Sequence, residues 1–300
     1  MTRRVIIDTD PGTDDAIALF LAFASPEIDV ALVTVAGGNV GLARTLRNAR
    51  ALVSLAGADV QVVAGADRPL LGRFEDAAYV HGEDGLAGVA LPEGRPAERG
   101  IAADAIRAAL RAAGPEGVTL VGIGPATNLA LALATEPALA AHVAEIVLMS
   151  GAATRGNVTP HAEFNAWSDP EALSVVLGCG RPVTLATLDL TRQAICTREW
   201  LGSLAEAGRC MVAARAIMGS VPMRAYPAGF GHPQHDACAI AWLAAPHLFT
   251  HAPVHVGVDL AGETRGRTRI TLGEGPARLL ERLDSPGFFA LLAERLARLP

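Results

Sequence analysis

Short β-branched apolar runs alternate along this chain with longer stretches whose apolar residues recur at helical spacing. Val5 to Ile7 is the first such run and reads as a buried strand. Pro11 and Gly12 stop it, and Asp14 to Phe23 then places Ile17, Ala18, Phe20 and Leu21 at helical spacing. Val30 to Ala36 predicts a second strand, Leu42 to Leu55 an amphipathic helix, and Val60 to Ala64 a third strand. Ile101 to Ala113 reads as a helix, Val118 to Ile123 as a strand, Leu129 to Ala134 as a helix, and Ile146 to Met149 as a strand. A helix from Asp169-Pro170 follows, then a strand over Val183 to Leu188 that ends at Asp189. Helices fill Arg198 to Met218, and Ala237 to Ala244 is an apolar helix. After the apolar run Pro253 to Val258, the chain reads as an edge strand, a ribbon and a closing helix, Phe288 to Leu299.

Strand-helix alternation of this kind predicts an α/β fold, an open, mostly parallel sheet with helices on both faces. In such sheets ligands bind beyond the carboxyl ends of the strands. No internal repeat or linker divides the sequence, so residues 1–300 are expected to form one unit. Two stretches stand outside the alternation. Ala66 to Arg99 is rich in Gly, Pro and charge and contains Tyr79-Val-His81-Gly-Glu-Asp84-Gly85. Gly219 to Pro233 reads as a Pro/Gly-rich loop carrying Tyr226 and Phe230. Long loops in compact domains are often functional.

The chemistry gathers at the strand ends. Asp8, Asp10, Asp14 and Asp15 fall on the first strand-to-helix corner, with Asp14 and Asp15 in a first turn where the helix dipole favours negative charge. Four carboxylates that close repel one another and raise each other's pKa values. A hard divalent cation with oxygen ligands, Ca²⁺ or Mg²⁺, removes the conflict. A helix cap would need only one of them. Asn39, after Gly37-Gly38, and the segment Gly124-Pro-Ala-Thr-Asn128 lie at further strand ends. Asn157 to Asn165 is a polar connection whose Glu163 and Asn165 are of the type that hydrogen-bonds sugar hydroxyls, and His235-Asp236 opens an apolar helix.

Charge and composition exclude several alternatives. Net charge is −6, and the 25 basic residues, all Arg, form no basic stripe, which argues against a nucleic-acid partner. The absence of Lys rules out Schiff-base chemistry and a P-loop. Cys179, Cys196, Cys210 and Cys238 show no metal or redox spacing, so reduced thiols are expected. The uncharged run Gly117 to Thr135 has Gly122, Gly124, Pro125 and Asn128 in its middle and reads as strand, turn and helix, not as a membrane span. With no room for a signal peptide before the first strand, the expected location is cytoplasmic.

Taken together, Asp8-Thr-Asp-Pro-Gly-Thr-Asp-Asp15, Gly38-Asn39, His81-Gly82, Gly124-Pro-Ala-Thr-Asn128, Glu163-Phe-Asn165 and His235-Asp236 resemble the inosine-uridine-preferring nucleoside hydrolase family. The resemblance spans nearly the whole chain. It implies a Rossmann-like α/β fold holding one Ca²⁺, with carboxylates from Asp10, Asp15 and Asp236 and a backbone carbonyl from Ile123. Asp14, Asn39, Asn157, Glu163 and Asn165 match ribose-binding positions, and Tyr226 is a candidate to contact the base. The expected reaction is hydrolysis of ribonucleosides such as uridine, cytidine and inosine to base and ribose, within nucleoside salvage. Homodimers or homotetramers are the family's usual assemblies.

An oxocarbenium-like transition state is expected for this cleavage. Asp10 would take the proton of a water on the cation, and His235, whose ordinary pKa range suits an acid, would protonate the leaving base with His81 assisting. Trp167 lies in the Glu163 block, so the base-sandwiching role of tryptophans in the purine-specific branch does not transfer to it. The His81 and His235 positions are similar to the branch accepting inosine, uridine and cytidine. Two alternatives share some features. A haloacid-dehalogenase-like Mg²⁺ phosphatase also begins with a strand and Asp-x-Asp, yet Asp14 and Asp15 would repel a phosphate dianion. The other is a catalytically inactive nucleoside-binding protein of the same fold.

Overall fold

The apolar runs become strands that pair in parallel, as their lack of polar alternation requires. In the computed structural model, which describes residues 2–205 and 207–300, β1 (Arg3–Thr9) lies between β2 (Ile28–Val35) and β4 (Val118–Gly122). β3 (Val62–Ala64) flanks β2, and β5 (Val143–Met149) and β6 (Val183–Ala186) continue the sheet beyond β4. β12 (Ala277–Leu283) adds in parallel to β6. β10 (Phe249–Val258) runs antiparallel between β12 and β11 (Thr268–Leu272). The order is β11-β10-β12-β6-β5-β4-β1-β2-β3, with a second, small sheet β7-β9-β8 formed by β7 (Ile195–Cys196), β8 (Arg224–Tyr226) and β9 (Gly229–Pro233).

Alternation along each buried strand feeds two cores. Val5, Ile7, Val33, Val121 and Val147 pack under α1 (Thr13–Ala24), α2 (Leu42–Ala56), α10 (Gly208–Ser220), α11 (His235–Ala244) and α12 (Ser285–Leu296). Ile6, Leu32, Leu120, Ile146 and Leu185 face the other way, under α4 (Ala102–Arg111), α5 (Thr127–Thr135) and α7 (Pro170–Leu177). The expected α/β sandwich is therefore present. Strand order reverses between β1 and β4, and a crevice opens there beyond the strand ends.

Three local expectations need correction. The run expected to be one strand to Leu188 breaks at Ala186, and Asp189 sits in a short helix, α8 (Leu188–Thr191). Leu188 and Leu190 are buried there, so the apolar signal continued although the backbone had turned. The Gly219 to Pro233 loop is instead the hairpin β8–β9, and a four-residue helix, α3 (Ala78–His81), interrupts the Ala66 to Arg99 stretch. The helices expected over Arg198 to Met218 are α9 (Arg198–Ser203) and α10, and Glu206 between them lies outside the described residues. The run Gly117 to Thr135 forms β4 and α5, and among the described residues no helix is long and apolar enough to cross a membrane.

Candidate active site

Asp10 follows β1 at the crevice and is fully buried. The Asn39 backbone N–H donates to its Oδ2 (2.7 Å), while its Oδ1 has no hydrogen-bond partner. Gly38 and Gly124 press on this carboxylate from the ends of β2 and β4, and a Cβ at either would overlap it. The glycines of two sequence motifs thus make room for one acid.

Asp15, in the first turn of α1, does cap its helix. Its Oδ2 accepts from the Gly12 N–H (2.9 Å) and Asn39 Nδ2 (3.0 Å), and its Oδ1 from Thr9 Oγ1 (2.6 Å). Asp236 enters from the first turn of α11 and is buried, whereas Asp14 is half-buried. Carboxylate oxygens of Asp14, Asp15 and Asp236 lie within 4.8 Å of one another. Burial first, then mutual repulsion, pushes Asp10, Asp15 and Asp236 above the ordinary carboxylate range. Burial holds Asp14 at about 6.

Asp8 does not join them, against the expectation of four acids on one corner. It shares the Ile6 face of β1, as a strand's period of two dictates. There it accepts from Thr34 Oγ1 (2.6 Å) and Asn128 Nδ2 (2.8 Å), and burial pushes it up to about 7. Asp236, from a distant part of the chain, joins Asp14 and Asp15, while Asp10 lies outside that group of three.

A group of oxygens with no thiol or imidazole among them is chemistry for a hard cation. An unpaired, fully buried carboxylate oxygen beside three other acids is costly without one. The residues present therefore fit a divalent metal.

On the sugar side, Glu163 caps α6 (Phe164–Ser168). Its carboxylate accepts from the backbone N–H groups of Gly151, Asn165 and Ala166 (2.8–3.0 Å), and burial raises it to about 6. Asn165 Nδ2 donates to the carbonyls of Ile123 (3.2 Å) and Met149 (3.0 Å), which ties it to the ends of β4 and β5. Asn157 Oδ1 accepts from the Phe164 N–H (2.9 Å). Asn39, besides holding Asp10 and Asp15, reaches the cleft wall.

On the other side, Thr13 donates its backbone N–H (3.1 Å) to His81 Nδ1, so the proton of the neutral ring sits on Nε2. Burial lowers His81 to about 4, with the Asp15 charge opposing. His235 Nδ1 lies 2.7 Å from Thr191 Oγ1, and burial, reinforced by the Arg192 charge, holds it at about 3. Both imidazoles are thus neutral near neutral pH. His235, half-buried, thus lies below the ordinary range expected of it.

Asp14, Asn39, His81, Ile123, Asn157, Glu163, Asn165, Tyr226, His235 and Asp236 line a single cleft, with Asp10 and Asp15 buried beneath its wall. Phe230 and Trp167 are not in that wall, and Phe230 is exposed. Sequence reasoning missed Tyr79, Arg192, His232 and Gln234, which also line it. The run Tyr79-Val-His81 offered a signal for the first and the His235-Asp236 pair for the adjoining His232 and Gln234, whereas Arg192 sits in a segment with no distinctive spacing.

Residues 5–290 match the model of a family described as inosine-uridine preferring nucleoside hydrolase. The chain belongs to this family. Nucleoside hydrolases among its relatives include the non-specific ribonucleoside hydrolase RihC of Escherichia coli, 42% identical over 307 residues with the whole of both chains covered. RihC of Shigella flexneri is 41% identical with the same coverage. Among solved structures, a plant nucleoside hydrolase, PpNRh1, superposes with a TM-score of 0.88 at 30% identity over 99% of both chains. A purine-preferring ribonucleoside hydrolase from Gardnerella vaginalis gives 0.87 at 30% over 98% of both. As a nucleoside hydrolase, the chain is an enzyme acting on the N-glycosyl bond of ribonucleosides. Neither the phosphatase nor the inactive alternative is favoured.

Proposed function

We propose that this nucleoside hydrolase releases ribose from both purine and pyrimidine ribonucleosides, uridine, cytidine and inosine among them, with Ca²⁺ bound by Asp10, Asp15, Asp236 and the Ile123 carbonyl. The observations that carry the metal are the unpaired, buried Asp10 Oδ1 and the carboxylates of Asp14, Asp15 and Asp236, which lie within 4.8 Å of one another. Ca²⁺ suits the site because it accepts carboxylate and carbonyl oxygens in flexible geometry. The breadth of bases is supported by the RihC relatives, named non-specific.

When bound, the ion supplies a charge that acidifies coordinated water and grips vicinal hydroxyls. Asp10, anchored through Oδ2 by the Asn39 N–H, would be the carboxylate that accepts the water's proton. Asp14, Asn157, Glu163 and Asn165 hold the sugar hydroxyls and keep the anomeric carbon in line for attack. As the bond to the base lengthens, the ring acquires oxocarbenium character and the base gains negative charge. His81 donates a hydrogen bond from Nε2 toward that charge, and His235 acts from the neighbouring wall. Tyr226 contacts the base.

The test is ribose release from uridine, cytidine, inosine and guanosine in phosphate-free buffer. Release from both base classes is expected. No release from any nucleoside by folded, Ca²⁺-loaded protein would overturn the proposal.

A further inference from the structure

Asn48 lies on the buried face of α2 and is 4% exposed, yet it bonds no atom of its own helix through its side chain. Its Nδ2 donates to the carbonyl of Pro11 (3.1 Å) and to the carbonyl of Asp84 (2.8 Å). An amide nitrogen carries two hydrogens, so one side chain satisfies both acceptors. Pro11 belongs to the turn between Asp10 and the first turn of α1, where Asp14 and Asp15 sit. Asp84 belongs to the turn that follows His81.

That second turn is tightly built. The Ala87 N–H donates to the His81 carbonyl (2.7 Å), and the Gly85 N–H to the Gly82 carbonyl (3.1 Å). Asp84 Oδ1 accepts from the N–H groups of Leu86 (3.0 Å) and Gly88 (3.1 Å). Gly85 has a φ of +84°, and a Cβ there would meet Asn48 Nδ2 at 2.9 Å and the Pro11 carbonyl at 3.1 Å. The turn can therefore dock only because position 85 is bare. The other end of α3 is tied by the Ala77 N–H to the Asn39 carbonyl (2.9 Å). His81, itself bonded to Thr13, thus rides on a segment tied toward the acidic corner by two asparagines, Asn39 before it and Asn48 after it.

We propose that Asn48 is a positioning residue for the reaction: its amide locks the His81 turn to the Pro11 turn, so that the imidazole and the acidic corner keep a fixed separation. This rests on the reading of His81 given above. Without the amide, the buried Pro11 carbonyl and the part-buried Asp84 carbonyl lose their donor. The His81 segment is then left with the Thr13 and Asn39 bonds to hold it to the corner, whereas the acids keep their own bonds to Asn39, Thr9 and Gly12. Misplacement of a catalytic group by about 1 Å can cost on the order of 10²-fold in rate.

A double-mutant cycle on uridine hydrolysis by the Ca²⁺-loaded enzyme tests this, with N48A, H81A and the double variant compared for kcat and KM. N48A is expected to lower kcat by about 10- to 100-fold. In the H81A background the same substitution is expected to change kcat by less than about twofold, because the group it positions is gone. N48S, which keeps one donor for two acceptors, is expected to fall between wild type and N48A, and replaces N48A in the cycle should that variant not fold. Equal losses in both backgrounds would mean a merely structural role and overturn the proposal, as would a silent Asn48 substitution beside a costly H81A. A silent H81A would instead overturn the reading of His81 and the positioning role with it.

Discussion

Asp10 holds one oxygen satisfied and one bare in a dry interior, and burial together with the Asp15 charge pushes its carboxyl up. D10N removes the proton acceptor at little change in shape. Ribose release is expected to fall by about 10²- to 10⁴-fold, the usual worth of a general base. The same variant relieves repulsion in the metal-free protein, so its unfolding temperature in EDTA is expected to rise above wild type. A drop there would show that Asp10 is a structural acid. Residue types at the site were legible because three of the six motifs fall at strand ends and the others in a long loop, a polar connection and a helix start. Directions were not: nothing in Asp8-Thr-Asp10 says that Asp8 turns under α5 while Asp10 stays at the crevice. Asn48 was equally hidden, as a lone amide on an amphipathic helix whose partners lie in two separate turns.

The elements that present the site are held by buried acids acting as caps. Asp169 is fully buried at the N-cap of α7 and accepts from the Ala172 N–H (3.0 Å), the Leu70 N–H (2.8 Å) and Thr127 Oγ1 (2.6 Å). One side chain thereby joins α7, α5 and the stretch leading to α3. D169A leaves three donors unsatisfied and is expected to cost about 3 kcal/mol in urea unfolding. A cost below about 1 kcal/mol would show that water replaces the carboxylate. The hairpin β8–β9 escaped sequence reading because Pro222, Pro227 and Gly229 looked like loop punctuation. Its Tyr226 reaches the cleft and Phe230, on the opposite strand, does not, so Y226A is expected to raise KM for all nucleosides while F230A leaves it unchanged. Steady-state kinetics with uridine and inosine distinguishes the two. The β1–α1 corner, by contrast, was readable to within two residues, because apolar period, turn residues and first-turn acids agree there.

At the scale of the molecule, the sheet delivers acids from β1, α1 and α11 to a crevice where strand order reverses. In the metal-free protein Asp8 is raised to about 7, and Asp14 and Glu163 to about 6, chiefly by burial. Each of these folded pKa values exceeds the ordinary carboxylate value, so between about pH 4 and 7 these three groups hold more protons folded than unfolded, while His81 and His235, lowered by burial, hold fewer up to about pH 6.5. The carboxylate contribution to stability in EDTA is then expected to be full below that window and to fall as pH rises through it. A cation that takes the place of protons stabilises more at the upper end. Thermal unfolding with EDTA and with Ca²⁺, at about pH 5 and about pH 7, is expected to show the larger Ca²⁺ effect at the higher pH. A Ca²⁺ effect no larger at about pH 7 than at about pH 5 would contradict this. The α/β class was open to sequence reading because strand-helix alternation is a chain-long signal, whereas the reach of Asp236 back to Asp14 and Asp15 depends on packing of α11 against α1.

The most direct measurement is a Ca²⁺ titration of EDTA-stripped enzyme, following bound ion by calorimetry and uridine hydrolysis on the same samples. The site described here predicts one ion per chain, with activity returning in proportion to occupancy and neither binding nor activity restored in the double variant D15N/D236N. Full hydrolysis by the stripped protein, with no ion bound, would contradict it.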